Sequence, residues 1–457
     1  MARLLPFALS ALLLTPASLM AEPLDDAGVA RASREAVFGD AFESEAGVAR
    51  LRAGARPEAL PALALALRYR GASPELLAAM STLAGEPIRD WGTAMRWIEA
   101  RPDVPAHPSY RAIKLDLYDR IDPEFRRFLG DDMGLAANMD IRLEEIVWGG
   151  VRVDGIPSLD EPAMIDASAA VYLKEDDRVF GIAINGDVRA YPLRIMGWHE
   201  MFNATIGGVP VALAYCTLCG AAILYETAVE GRPAPLIFGS SGLLYRSNKL
   251  MFDRATESLW NQFTGEPVAG PLRGSGIRLA IRPAVTTTWG AWRKRHPKTR
   301  VLSLETGHKR DYGSGVVYQD YFASPDLMFP AIVRDESVAK RKDVVFGIRD
   351  VAAARAWPVE AFRATPIIND AVGARSVVLI GDAEAQTVRA YDRGSETFGP
   401  GPGAESLTSA AGAWRVEETA LIGPNGQTLA RIPGHLSYWF AWDSYLGVAS
   451  TLYGGKP

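Results

Sequence analysis

The sequence predicts an α+β protein in which an N-terminal helical region precedes a β-rich region built from two related halves. Three observations predict this fold class. Good helix formers with helical spacing dominate up to about residue 140, and short β-branched runs separated by Gly, Pro and Asp follow from residue 141. An internal repeat then appears within these runs. We expect an export signal in 1–21, the helical region in 22–140, a first β-rich half in 141–330 and a degenerate copy in 331–457.

Residues 1–21 have the pattern of an export signal. Arg3 supplies a positive start, the apolar run Leu4–Leu14 follows, and Ala17 and Ala21 offer small residues for cleavage. The apolar run is too short to span a bilayer comfortably. The pattern therefore predicts a periplasmic or secreted protein with no transmembrane segment after cleavage. In such an oxidising compartment, two cysteines tend to pair or to be held by a metal.

The composition is that of an ordinary globular protein, with 48% hydrophobic and 23% charged residues. The 49 basic and 54 acidic residues give a net charge of −5. Because there is no basic surplus and no run rich in Lys and Arg, nucleic acid is not an expected partner. A small-molecule substrate or a metal-delivery partner is the alternative that we expect.

The helical region has clear start and stop signals. Ser73 and Pro74 suit the cap and first turn of a helix that Gly85 would end. Trp91 and Met95 belong to one apolar stripe of the next predicted helix. No group of residues here has catalytic spacing, so the region is interpreted as a packing or partner-binding domain.

The first half of the β-rich region contains a predicted hairpin, VFGIAI–NGD–VRAYPL, whose Asn185-Gly186 pair suits a type I′ turn. The segment that starts at Val179 aligns without a gap with the segment that starts at Val345, and 12 of 48 positions are identical. This identity predicts two halves with the same strand order.

The repeat separates scaffold from chemistry. Asn203 and Gly207 have identical partners in the second half, whereas His199, Cys216 and Cys219 align with Thr365, Asp382 and Ala385. The second half therefore keeps scaffold residues and lacks the candidate ligands. Because VVLIGDAEAQTVRAYD is typical of strand, turn and strand, we expect the same arrangement around the cysteines.

Cys216 and Cys219 have the spacing of a metal knuckle, in which two thiolates bind one metal from a turn ending in Gly. No second cysteine pair exists, so His199 is the predicted third ligand. The fourth position is left for His308, a Met, a carboxylate or solvent. Two thiolates and an imidazole form a soft set that suits copper or zinc. We favour copper over zinc. The predicted function is an exported metal-binding protein, which if it is an enzyme would be a metal-dependent oxidoreductase acting on a small substrate.

Two alternatives stay open. The same cysteine pair could serve a thiol–disulfide redox protein without metal, or form a structural disulfide. Alternatively, the chain is a non-catalytic interaction module with the helical region as its partner surface. A disulfide across so short a loop closes little chain and would stabilise little.

Polar and aromatic residues near the cysteines could line a small pocket. The competing interpretation is a conventional hairpin, LLYRSNKLMFDR, with Ser247-Asn248 at its turn. The candidate pocket residues are Tyr215, Arg246, Asp253, Trp260, Gln262 and Tyr312.

From about Ile141 onward the sequence resembles the family known as domain of unknown function 3179. The resemblance rests on GIPSLDEP, GDVRAYPL, WHEMFNATIGGVPVALAYCTLCGAAILYE, SGLLYRSNKLMFDRATESLWNQFTG, AWRKRHPKT and TGHKRDYG. It implies a bacterial or archaeal protein that is often exported. It implies little about activity, so the chemistry depends on the residues themselves.

Overall fold

The protein is described by a computed structural model. The residues that it describes are 24–129, 139–313, 317–334, 336–350 and 353–454. The predicted export signal in residues 1–21 lies outside them. Within the described ranges, no helix is both long enough and apolar enough to cross a membrane.

The chain divides into two compact units. One comprises residues 1–89 with 105–110, and the other comprises residues 90–104 with 111–457. The predicted helical region contributes to both units, and all of the β-structure described below belongs to the second.

Seven helices are described in the N-terminal part of the chain, as the sequence predicts. They are α1 Asp26–Phe38, α2 Ala41–Gly54, α3 Leu60–Arg70, α4 Pro74–Ala84, α5 Trp91–Ala100, α6 Tyr110–Ile121 and α7 Arg126–Leu129. The predicted signals of α4 are confirmed: the Ser73 hydroxyl oxygen accepts a hydrogen bond from the Leu76 amide at 3.1 Å, and Gly85 ends the helix with φ +71°.

The first half of the β-rich region begins with short strands and continues into longer hairpins. Its elements are β1 Ile146–Trp148, β2 Leu159–Asp160, β3 Met164–Asp166, β4 Arg178–Ile184, β5 Asp187–Pro192, α8 Leu193–His199, β6 Met201–Ile206, β7 Val209–Cys216, β8 Ala221–Glu226, β9 Phe238–Tyr245, β10 Asn248–Asp253, β11 Leu259–Asn261, β12 Glu266–Ala269, β13 Ile281–Arg282, β14 Val285–Thr288, α9 Trp289–Arg295, β15 Arg300–Leu302 and α10 Gln319–Ala323.

The second half repeats the pattern of strands with short helices. Its elements are β16 Val344–Arg349, β17 Ala354–Pro358, α11 Ala361–Ala364, β18 Ile367–Val372, β19 Arg375–Asp382, β20 Thr387–Asp392, β21 Gly399–Pro400, β22 Ser406–Ser409, β23 Gly412–Val416, β24 Ala420–Ile422, β25 Thr428–Ile432, β26 His435–Tyr438, α12 Trp439–Leu446 and β27 Ser450–Leu452. The predicted class, helices followed by a β-rich region, is confirmed.

The strands form several sheets. In the first half the sheet orders are β1-β9-β10-β11-β12, β13-β8-β7-β6-β2 and β14-β4-β5-β15-β3. The second half contains β26-β16-β17-β27 and a larger sheet with β18-β19-β20 at one end. Most neighbouring strands are antiparallel, but β2 lies parallel to β6, β15 to β5 and β27 to β17.

The two halves correspond closely in their middle strands. Adding 166 to the bounds of β6, β7 and β8 gives the bounds of β18, β19 and β20. Asn203 exchanges two hydrogen bonds with the backbone of Phe238, both at 2.9 Å, and Asn369 does the same with Phe398 at 2.8 Å. This correspondence supports the predicted duplication, which stays a prediction about the origin of the halves.

Turn geometry confirms one hairpin and corrects another. Asn185 and Gly186 both have positive φ, +49° and +85°, as a type I′ turn requires. In the β9–β10 hairpin the residues with positive φ are Arg246 and Ser247, at +48° and +62°. The predicted turn at Ser247-Asn248 is therefore wrong by one residue, because Asn248 is buried as the first residue of β10.

Candidate functional site

The two cysteines lie at the β7–β8 connection, as the repeat predicts. Cys216 is the last residue of β7 and pairs with Ala221, the first residue of β8, so that Cys219 lies in the four-residue turn between them. Alternate residues of β7 face different cores, as expected for a strand buried on both faces. Cys216 joins the same core as Ala214, whereas Tyr215 joins the other.

The turn brings the two sulfur atoms together as free thiols. The distance between Cys216 Sγ and Cys219 Sγ is 2.9 Å, and the residues are 2% and 0% exposed. Gly220 completes the turn with φ +61°, where a side chain would be strained. Burial, reinforced by the neighbouring Cys216 thiol, raises the pKa of the Cys219 thiol well above its usual value. The Cys219 thiol is therefore protonated at neutral pH in this buried arrangement.

Two amide side chains support the turn from β10 and the segment after β11. Asn248 Nδ2 donates to Cys219 Sγ at 3.1 Å and to Gln262 Oε1 at 3.0 Å. Gln262 Nε2 in turn donates to the carbonyl oxygens of Ala214 and Ala221 at 2.8 Å and 3.3 Å, one on each strand. The Asn248 bond lowers the pKa of Cys219, against the larger effect of burial, because it stabilises a thiolate. The amide pair thus fixes both the turn and the polar environment of one sulfur.

A buried ion pair lies directly beside the cysteine turn. Glu200 accepts hydrogen bonds from the Thr217 hydroxyl at 2.7 Å and from Lys249 Nζ at 3.1 Å. All three residues are buried, with Lys249 3% exposed. Glu200 adopts φ +54° immediately after α8, which turns its carboxylate toward the turn. A charged pair removed from water needs such bonds to be tolerated.

The turn is covered by the second half of the β-rich region and by α10, the helix just before that half. The Tyr438 amide donates to the Cys219 carbonyl oxygen at 2.7 Å, and the Tyr321 hydroxyl donates to the Leu218 carbonyl oxygen at 2.6 Å. Lys342 Nζ lies 3.7 Å from the centre of the Tyr321 ring. Reagents can therefore reach the sulfur atoms only if this aromatic cover opens.

His199 is buried and makes contacts of its own, none of which involves the cysteine turn among the described residues. Its Nδ1 lies 2.9 Å from the Pro157 carbonyl oxygen and its Nε2 lies 2.7 Å from the Tyr312 hydroxyl. Because a carbonyl oxygen only accepts, Nδ1 carries the proton and Nε2 accepts from Tyr312. Burial lowers the pKa of His199 to about 4. The ring of His308 lies 5.2 Å from that of His199, centre to centre, and Thr306 Oγ1 lies 2.6 Å from the Tyr312 hydroxyl.

The arrangement offers two soft ligands, Cys216 and Cys219, and the described part of the chain shows no third ligand beside them. In the described part of the chain, no group of three or more His, Cys, Asp or Glu side chains is placed to hold a metal ion. Two thiolates on one tetrahedral zinc, each at about 2.3 Å, would be about 3.8 Å apart. The observed sulfur separation of 2.9 Å is shorter than that. Metal binding by Cys216, Cys219, His199 and His308 stays a prediction.

The other predicted pocket residues lie in different surroundings. Tyr215 is buried against Phe180, and Asp253 accepts from Trp260 Nε1 at 3.0 Å in the core. Arg246 pairs with Glu145. Gln262 supports the cysteine turn and Tyr312 contacts His199, as described above. The structure thus brings Gln262 to the cysteine turn and Tyr312 to His199. Trp260 packs in the same core as both cysteines, whereas Tyr215 packs in the other core.

Several residues of this site were missed by sequence reasoning. They are Glu200, Thr217, Asn248, Lys249, Tyr321 and Tyr438. Glu200 and Thr217 stand directly beside predicted ligands, so position gave a signal for these two. Nothing local distinguishes the others from ordinary buried or exposed residues.

The fold and site define a β-rich protein with a buried dithiol at a strand-connecting turn. The family model described as "Protein of unknown function (DUF3179)" matches residues 153–448, which is more than half of the chain. The chain belongs to this family, as the resemblance predicted. No curated protein and no solved structure matches it.

Proposed function

We propose that the chain is a thiol–disulfide redox protein that uses Cys216 and Cys219 without metal. The single observation that carries this proposal is the 2.9 Å contact between two unbonded sulfur atoms. A disulfide has a sulfur–sulfur bond of about 2.05 Å, so closure needs an approach of only about 0.9 Å. The side-chain contacts of His199 also favour this function, because both of its ring nitrogens already have partners.

The proposed chemistry is exchange with an external low-molecular-weight disulfide. The Cys216 thiol loses its proton, and the resulting thiolate attacks one sulfur of the external disulfide and releases one thiol. Cys219 then loses its proton and attacks the mixed disulfide at Cys216, which releases the second thiol. The two cysteines lose two electrons and two protons in total, and the external disulfide gains them. Asn248 stabilises the Cys219 thiolate during the second attack.

Burial makes this a protected dithiol. The thiolate is the reactive form, and thiols buried in apolar surroundings react slowly. Opening of the cover at Tyr321 and Tyr438 therefore controls the rate of exchange in this proposal. In the periplasmic or secreted location that we propose for the mature chain, an oxidising environment would favour the disulfide form.

The test combines mass spectrometry with thiol titration of the purified full chain. After treatment with oxidised glutathione, we expect loss of two hydrogen atoms from the intact mass and no titratable thiol after unfolding. Subsequent dithiothreitol should restore both thiols. Cys216→Ser should instead retain a stable mixed disulfide at Cys219 or remain unmodified. Two titratable thiols that persist after prolonged oxidation would contradict the proposal.

A second candidate is the soft-metal function, with copper favoured over zinc. It is favoured by one observation: two sulfur atoms converge from the two ends of one turn without a bond between them. Two thiolates suit a soft ion such as copper(I), and the sulfur atoms would have to separate beyond their 2.9 Å contact to bind it. His199 and His308 would join only if the Tyr312 contact opened. If the metal-bound chain is an enzyme, we propose a metal-dependent oxidoreductase that acts on a small substrate.

Elemental analysis separates the two functions. Stoichiometric copper or zinc in the purified chain, lost in Cys216→Ser and in Cys219→Ser, would establish the metal function and remove the metal-free one. A metal-free chain that cycles reversibly between two thiols and none supports the redox function. Retention of metal in His199→Gln would show that the imidazole is not a ligand.

A further inference from the structure

A cavity of about 530 Å³ lies away from the cysteine turn, where the two β-rich halves meet. It is open to solvent on one side, and β13, β16 and β18 contribute to its walls. Much of the wall is apolar, formed by Leu279, Ile281, Ile348, Val372 and Ile432. A cavity of this volume is in the range that binds small organic molecules.

The guanidinium of Arg349 is the unusual group in this wall. Its Nη2 donates to the Tyr225 hydroxyl at 3.0 Å, and its Cζ lies 5.5 Å from the centre of the Phe263 ring. Its Nε is buried and has no hydrogen-bond partner. Within the described ranges, no carboxylate forms an ion pair with Arg349. Because the buried Nε is closed to a ligand in the solvent-open cavity, a ligand there would meet the Nη1 end of this partly exposed guanidinium.

The other charged groups of the wall already have partners. Arg278 Nε donates to Glu266 at 2.7 Å, and Arg375 Nε lies 3.4 Å from Asp392 Oδ2. Asp350, the other acid in the wall beside Glu266, is exposed to solvent. Arg349 is therefore the guanidinium left to meet a ligand that enters the cavity.

We propose that this cavity binds a small organic carboxylate with an apolar body, held by Arg349. A guanidinium presents parallel N–H donors that match the two oxygens of a carboxylate. The apolar side chains of the wall would cover the hydrocarbon part of the ligand, and the volume sets its size at that of a small metabolite. The proposal is independent of the redox chemistry at the cysteines, because the cavity wall contains neither cysteine.

Calorimetric titration of the full chain with benzoate and with benzamide tests the charge requirement. The two probes share shape and apolar surface, and only benzoate carries the carboxylate. We expect saturable binding of benzoate at least tenfold tighter than that of benzamide. Arg349→Gln should remove this difference, because a charge-assisted hydrogen bond is lost. Arg363→Gln, which removes an exposed arginine paired with Glu360, is the matched control and should bind like the parent.

A second variant keeps the test valid if Arg349→Gln fails to fold. Ala280 is exposed and lines the cavity, so Ala280→Trp should fill it without disturbing the core and should weaken benzoate binding at least tenfold. Ala404→Trp adds the same side chain at an exposed position outside the wall and should not change binding. Equal binding of benzoate and benzamide, unchanged binding in Ala280→Trp, or preference for inorganic phosphate over benzoate would overturn the proposal.

Discussion

The turn from Cys216 to Ala221 in the first half and the turn from Asp382 to Thr387 in the second half have the same backbone and different chemistry. Each connects two antiparallel strands, with Gly220 at φ +61° in one and Gln386 at φ +46° in the other. The cysteine turn is buried, whereas Asp382 is exposed and its carboxylate accepts from nearby amides of its own turn.

The surroundings explain this difference. Each turn accepts a hydrogen bond from the opposite half at the corresponding carbonyl: Tyr438 donates to Cys219, and Arg178 donates to Ala385. Only the cysteine turn also has the Asn248 amide and the Glu200–Lys249 pair beside it. The comparison teaches that the shared strand–turn–strand backbone does not by itself create the site. The site is created by the added polar residues and by the aromatic side chains that cover the turn.

The largest predicted effect concerns the buried ion pair, which has no counterpart because Pro366 stands where Glu200 would be. Glu200→Ala leaves the Lys249 ammonium buried without a carboxylate and should lower the free energy of unfolding by about 3–5 kcal/mol. Urea denaturation measures this. Combining Glu200→Leu with Lys249→Met should recover most of the loss, because both charges are then absent.

The matched control is Glu360→Ala, which removes an exposed carboxylate paired with Arg363 and should cost much less stability, because water already solvates both charges. If Glu200→Ala cost no more than this control, the pair would contribute nothing specific to the cysteine turn.

The intermediate effect compares the two turns directly. Gly220→Ala places a side chain at positive φ with its Cβ about 3.3 Å from the Tyr438 ring, and should destabilise by about 1–2 kcal/mol. Gln386→Gly relieves the same conformation in the second half and should stabilise by up to about 1 kcal/mol, reduced by the greater freedom of the unfolded chain. Thermal and urea unfolding of both variants measure the signs, and the same sign in both would break the correspondence.

The smallest effect is the pH dependence from His199. Its pKa is lowered to about 4 in the folded chain and is about 6.5 when unfolded, so the unfolded state binds more protons between these values. Stability therefore falls as pH decreases from about 6.5 toward 4. Between pH 7 and pH 5.5, the parent should lose about 1 kcal/mol more than His199→Gln.

His435 of the second half allows a second test of this pH dependence, because burial lowers its pKa to about 3. His435→Gln should make the free energy of unfolding depend less on pH over the same range. Parallel pH profiles of the parent and His199→Gln in urea unfolding would rule out a neutral, buried His199.

The local features of the fold follow from the sequence because they depend on neighbouring residues. The Ser73 cap, the positive φ at Asn185 and Gly186, and the strand–turn–strand arrangement of the cysteines are all set by residues within a few positions. The one-residue error in the β9–β10 turn shows the limit, since burial of Asn248 decides which residues turn.

The sequence by itself determined the order of helices and strands, the matching frame of the two halves and the closeness of Cys216 to Cys219. Only the tertiary structure decided that Asn248 and Tyr438 meet Cys219, and that His199 contacts Tyr312. The physical reason is that such contacts join residues far apart in the chain. Strand register and side-chain direction set them, and neither is fixed by local propensity.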